Sequence, residues 1–128
     1  MSPPRILVVD DDPDIRRIAA LSLERIGGFR VTLASGGHEA LEMALREPPD
    51  VVLLDVTMPG GDGPETLQAL RAQPMTAQVP VIFFTATSSP EEAARLRALG
   101  AAGVVAKPFD VADLPRRIRS MVPLGEVQ

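Results

Sequence analysis

Five polar residues stand at the ends of short apolar runs in this chain, and their types fit one kind of chemistry. Asp10 and Asp11 follow the run 6–9, Asp55 follows 51–54, Thr85 follows 81–84 and Lys107 follows 103–106. Carboxylates gathered in a small cleft raise one another's pKa or recruit a counter-ion, and their hard oxygens favour Mg²⁺. Lys107 is the single lysine among thirteen basic residues. Arginine presents a planar fork suited to bidentate pairing, whereas lysine aims one compact charge from a flexible stem, which suits a phosphoryl oxygen. Aspartates, a hydroxyl and one ammonium together describe a pocket for phosphoryl transfer, with a metal site implied by the crowding of Asp10, Asp11 and Asp55.

For these residues to meet, the runs that precede them must lie side by side. Runs 6–9, 51–54 and 81–84 are unbroken and apolar, as expected of parallel strands covered on both faces. Residues 29–33 alternate as an edge strand would, and 103–106 is short enough for the opposite edge. Between them, Asp12-Pro13 supplies an N-cap and a first-turn proline for a helix with Ile15, Ile18, Ala19, Ser22 and Ile26 on one face. Leu41, Ala44 and Leu45 mark a second helix, and Leu67 with Leu70 a third. Ser89-Pro90-Glu91-Glu92 has the form of a capping box heading a fourth helix, through Leu96 and Leu99 to a stop at Gly100. A fifth follows Asp110; Pro115 cannot donate a helical hydrogen bond, which moves the expected start to near Asp113.

Five alternations of strand and helix predict an α/β fold, a doubly wound five-stranded parallel sheet of strand order 2-1-3-4-5 with helices on both faces. Ligands of such sheets bind beyond the carboxyl ends of the strands, beside strand 1. Strand spacing of roughly 4.8 Å then crowds Asp10, Asp11 and Asp55 into one cleft. Asp12, Asp50 and Asp62 read instead as a cap or as turn aspartates.

At 128 residues the chain suits one compact domain with one site. We expect that domain to occupy residues 1–122, with 123–128 a short tail. No apolar stretch approaches the ~20 residues of a membrane span, and the N-terminus lacks the apolar core of a signal peptide, so a cytoplasmic location and no membrane partner are expected. The absence of cysteine excludes disulfides and thiolate chemistry, and one histidine, His38, excludes a histidine metal site. A net charge of -4 argues against direct DNA binding.

Ile6 to Asp12, Asp55-Val56-Thr57-Met58-Pro59-Gly60-Gly61-Asp62-Gly63, Thr85-Ala86 and Lys107-Pro108-Phe109 closely resemble the receiver domain of response regulators in two-component signalling, which has the chemotaxis-regulator fold. The likeness spans about residues 5 to 122, and the ordered set of motifs is far more specific than any one of them. It implies that Asp55 accepts a phosphoryl group from a sensor histidine kinase or a histidine phosphotransfer protein. Asp10 and Asp11 would hold Mg²⁺ with the Asp55 carboxylate and the Thr57 carbonyl, while Thr85 and Lys107 each engage a phosphoryl oxygen. Such a domain catalyses its own phosphorylation and dephosphorylation, and it switches a downstream protein target.

One position departs from that pattern. Receivers usually carry an aromatic residue three before the lysine, which turns inward as the threonine moves; here that residue is Val104, and the chain has no Tyr or Trp. A β-branched side chain cannot perform that swing, so Thr85 and Val104 define an atypical switch. Arg116, Arg117 and Arg119 read as a solvated basic face of the last helix. As a rival, Asp10-Asp11-Asp12 also satisfies the D-x-D pattern of a haloacid-dehalogenase-like phosphatase using Asp10. That fold needs a further strand ending in acids after the lysine. A flavodoxin-like carrier would want a phosphate-cradling loop where the three acids stand.

Overall fold

A computed structural model describes residues 2–58, 62–86 and 89–124. The apolar runs become β1 (Arg5–Val9), β2 (Arg30–Ala34), β3 (Val51–Asp55), β4 (Val81–Thr85) and β5 (Gly103–Ala106). The helices are α1 (Pro13–Leu21, continued by a π-helical turn over Ser22–Ile26), α2 (Gly37–Arg46), α3 (Gly63–Arg71), α4 (Pro90–Ala98) and α5 (Leu114–Met121). All pairings are parallel and the order is β2-β1-β3-β4-β5, the predicted doubly wound sheet.

Because side chains alternate along a strand, each central strand feeds two cores. Leu7, Val9, Leu54 and Phe83 pack with Ala44, Leu67 and Leu96, so α2, α3 and α4 cover one face. Val8, Leu53, Phe84 and Val105 pack with Ala19, Leu23, Leu114 and Ile118, which places α1 and α5 on the other. Every residue of β3 and β4 is buried, the reason those runs carry no polar alternation until their last residue. Each large apolar side chain so buried contributes about 1.5–3 kcal/mol.

Several local expectations shift. On α1 the buried residues are Ala19, Ser22 and Leu23, whereas Ile18 and Ile26 are 42% and 56% exposed. The wider π-helical turn rotates the apolar stripe, so Leu23 takes the place expected of Ile26. Ala40 and Ala44 are the buried pair of α2, with Leu41 and Leu45 only half-buried. The Ser89 hydroxyl accepts from the Glu92 N–H at 3.3 Å, but the Glu92 carboxylate pairs with Arg95. The reciprocal capping box forms at Asp62, which accepts from the Glu65 N–H at 2.9 Å while Glu65 accepts from the Asp62 N–H. Leu99 is exposed, and the chain turns at Gly100 with φ of 111°, which favours glycine. The last helix begins at Leu114 with Pro115 in its first turn, as expected.

The basic face of α5 is not simply solvated. Arg116 is exposed and pairs with Asp113, but Arg119 donates to the Gly27 carbonyl at 2.9 Å and lies 4.6 Å from the Phe29 ring centroid. Arg117 donates to the Val104 carbonyl at 3.4 Å. His38 is exposed in the first turn of α2. Among the described residues no helix is long and apolar enough to cross a membrane.

Candidate functional site at the carboxyl edge of the sheet

The three consecutive acids after β1 take three different positions. The Asp10 N–H donates to the Ala34 carbonyl, which keeps Asp10 in line with the strand and 1% exposed. Its Oδ1 accepts from the Asp12 N–H at 2.9 Å, and its carbonyl accepts from Arg16 Nη1 at 2.7 Å. Asp11 is exposed at the mouth of the cleft. The Asp12 carboxylate accepts from the Asp14 N–H and caps α1.

Asp55 ends β3 and is 6% exposed. The Gly63 N–H donates to the Val56 carbonyl at 2.8 Å, which starts α3 against the strand end. A Cβ at Gly63 would strike the Asp55 carbonyl and the Phe83 ring, so glycine is required for this approach. Asp50, expected in a turn, accepts from the Arg5 N–H at 2.7 Å at the far edge of the sheet.

Lys107 follows β5, where its N–H donates to the Thr85 carbonyl at 2.8 Å. Its side chain reaches back across the strand ends, placing Nζ 2.7 Å from Asp10 Oδ2 and 3.3 Å from Asp55 Oδ1. The ammonium also lies 5.6 Å from the Phe84 ring centroid, and Phe84 stacks on Phe109 at 5.3 Å. The Lys107-Pro108 peptide is cis.

Charge in this cleft is held at a cost. Burial pushes the Asp55 carboxyl above its ordinary pKa, the nearby Asp10 adds to this, and Lys107 and the Thr57 N–H oppose it. For Lys107, burial favours the neutral amine, but the hydrogen bond and charge of Asp10 together with the charge of Asp55 outweigh it, and its pKa is raised. One ammonium does not balance three carboxylates.

Carboxylate oxygens of Asp10, Asp11 and Asp55 lie within 4.8 Å of one another. Asp10 Oδ2 is buried, and its one close neighbour among the described residues is the Lys107 ammonium at 2.7 Å, which leaves a lone pair of that oxygen unused. A buried oxygen with spare acceptor capacity, hard ligands and excess negative charge fit a small divalent cation such as Mg²⁺.

The Thr57 N–H points to Asp55 Oδ1 at 3.4 Å, a long contact. Thr85 ends β4, 4% exposed, opposite Ala106. Strand alternation puts it on the same face as Phe83, away from the face of Phe84. Val104, opposite Phe83 and 9% exposed, packs in the core with Phe83 and Leu96. Thr85 and Val104 therefore share the α2–α3–α4 face. Pro59, Gly60 and Gly61 of the Asp55 motif, Thr87 and Ser88 of the loop after Thr85, and Gly125 to Gln128 of the tail lie outside the described residues.

Sequence reasoning missed Arg16, six residues beyond the aspartate whose carbonyl it binds. It also gave no role to Phe84 and Phe109, although Phe109 stands beside the lysine motif. The phosphatase alternative loses its second acid, since Asp12 is engaged as a helix cap, and no strand follows β5 among the described residues.

Residues 6–119 match the response regulator receiver domain family. The chain is 39% identical over 122 residues to the transcriptional regulatory protein PrrA of Mycobacterium leprae, covering 95% of this chain and 51% of that protein. It is 34% identical over 119 residues to the DNA-binding dual master transcriptional regulator RpaA of Synechocystis, covering 93% of this chain and 49% of that protein. The chain thus spans about half the length of these relatives. Its fold superimposes on the chemotaxis response regulator CheY4 of Vibrio cholerae with a TM-score of 0.88 and 32% identity, covering 94% of this chain and 100% of that one. Neither the family match nor these relatives support a phosphatase.

Proposed function

The chain belongs to the response regulator receiver family, the phosphoacceptors of two-component signalling, and on that premise we propose that Asp55 is the residue that takes the phosphoryl group. The observation that carries this is the Lys107 ammonium set between the buried carboxylates of Asp10 and Asp55. An Asp55 oxygen attacks phosphorus of a phosphohistidine on a sensor histidine kinase or histidine phosphotransfer protein. The P–N bond breaks with its electron pair passing to the imidazole nitrogen, and an acyl phosphate forms on Asp55.

Such an attack is feasible only where charge on the transferred oxygens is offset. Lys107 would swing from Asp55 toward one of them, and the Thr85 hydroxyl would meet another. The Asp10, Asp11 and Asp55 carboxylates and the Thr57 carbonyl would hold Mg²⁺, which when bound would supply further positive charge to offset that of the transferred oxygens. Arg16, through the Asp10 carbonyl, fixes the backbone that presents Asp10. Water entering the same cleft would later hydrolyse the acyl phosphate, so the domain catalyses both its charging and its resetting.

Output runs through a protein target, since a net charge of -4 gives this chain little attraction for DNA. The setting is cytoplasmic, where kinases of this class find their nucleotide. Residues 1–122 form the receiver, a reading supported by α5 ending at Met121 and by the family match ending at residue 119. Val104 has no ring to swing, so the response centres on Thr85 and the loop that follows it rather than on β5.

Incubation with acetyl phosphate and Mg²⁺ should add one phosphoryl mass to the protein and none to the Asp55→Asn variant. Undiminished uptake by the variant would move the nucleophile elsewhere. Amide chemical shifts with and without beryllofluoride test the switch: large changes centred on Val104 and α5, with a quiet loop after Thr85, would show it to be misplaced.

A further inference from the structure

At the opposite, amino-terminal edge of the sheet, Arg5 opens β1 and Arg30 opens β2, and the parallel register sets them directly side by side. Like charges so paired repel. Arg46, in the last turn of α2, faces the same hollow, which has a volume of about 370 Å³. The one acid lining it, Glu47, reaches Arg5 at only 3.8 Å, with both side chains well exposed. Among the described side chains lining the hollow, three guanidinium groups against one carboxylate leave an excess of two positive charges; Asp50, whose carboxylate accepts from the Arg5 N–H, lies beside the hollow without lining it. Leu7 and Met43 give the hollow an apolar wall.

We propose that this hollow binds a small organic dianion, a phosphate or phosphonate joined to a compact apolar body. Guanidinium forks match the paired oxygens of such a group, and the excess of two charges matches its own. The volume lies in the range of small-ligand sites, and the Leu7 and Met43 wall receives the apolar part. Charged side chains on an edge strand also discourage strand addition. That purpose would need Arg30 alone; it does not call for Arg46 and Met43, which come from α2. Five residues of strand separate Arg5 from Asp10, roughly 17 Å, so this site is distinct from the Asp55 cleft.

Titration with phenylphosphonate, followed by amide chemical shifts in metal-free buffer, tests the assignment, because its P–C bond cannot transfer the phosphonyl group to Asp55. Saturable shifts are expected at Arg5, Arg30 to Thr32 and Met43 to Glu47. Inorganic phosphate should move the same amides more weakly, and benzyl alcohol should not saturate. Arg30 and Arg46 are both exposed, so the R30Q/R46Q variant should fold normally. It should bind phenylphosphonate about tenfold or more weakly. Absence of saturable shifts, shifts confined to Asp10, Asp55 and their neighbours, or an affinity unchanged in R30Q/R46Q would each overturn the proposal.

Discussion

Lys107 and Arg5 each meet a carboxylate at a strand end, at 2.7 Å and 3.8 Å, but at opposite edges of the sheet and in opposite surroundings. At the carboxyl edge the partners Lys107 and Asp10 have side chains 19% and 1% exposed; at the amino edge Arg5 and Glu47 are 39% and 58% exposed. Water screens the second pair, which is worth little. The first pair has lost that screening, and Asp55 shares the same ammonium. The edges carry opposite excess charge, negative around Lys107 and positive around Arg5, but sign alone does not set where chemistry can occur. What distinguishes them is how much each charge depends on its neighbours, and the chemistry resides where that dependence is strong.

Removing the Lys107 ammonium should separate the edges most. Lys107→Met leaves Asp10 and Asp55 facing each other in a buried cleft, and we expect a loss of about 2–3 kcal/mol in urea unfolding without metal. A loss under about 0.5 kcal/mol would make the buried pair no different from a surface one. Adding Mg²⁺ at ten times its Kd should raise stability by about 1.4 kcal/mol. Asp11→Ala, a change at an exposed site, should lose most of that gain; a melting temperature indifferent to the metal in the unmodified protein would count against the three-carboxylate site.

A smaller effect of opposite sign is expected at Asp55. Its raised pKa means the folded state prefers the protonated form, so stability from this group is present below the ordinary carboxyl value of 3.8 and declines as pH rises through the higher folded value. Asp55→Asn should therefore be more stable than the unmodified protein by about 1 kcal/mol at neutral pH in chelator. The advantage should vanish below pH 3.8, where Asp55 is protonated in both states. An advantage that grows on acidification would reverse the assigned sign. Smallest of all, Arg5→Gln at the wet edge should change stability by no more than about 0.5 kcal/mol.

The two edges were also unequally legible. Burial on both faces forces unbroken apolar runs, so β3 and β4 stand out, and a polar residue at the end of each run marks the carboxyl edge. Asp10, Asp55 and Lys107 were recognisable because topology alone brings strand ends together. The amino-edge hollow was not, because it depends on Arg5 standing opposite Arg30, a register that neither segment declares. The π-helical turn after α1 has no marker in residue type, and it puts Ile26 on the wrong side of the expected face; Ile18, which precedes the turn, is exposed because the buried stripe runs through Ala19, Ser22 and Leu23. Arg117 and Arg119 look like any solvated arginines in sequence; their bonds to the Val104 and Gly27 carbonyls appear only once α5 is docked. The face of Thr85 could have been read from strand alternation, which sets it apart from Phe84 and with Val104.

Asp55 is the proposed carrier of the phosphoryl group. Reduction with borohydride after charging with acetyl phosphate converts an aspartyl phosphate to homoserine, and peptide sequencing by mass spectrometry then locates it. Homoserine at position 55 is the predicted result; homoserine at position 10 or 11, or none in a protein that has gained phosphoryl mass, would contradict it.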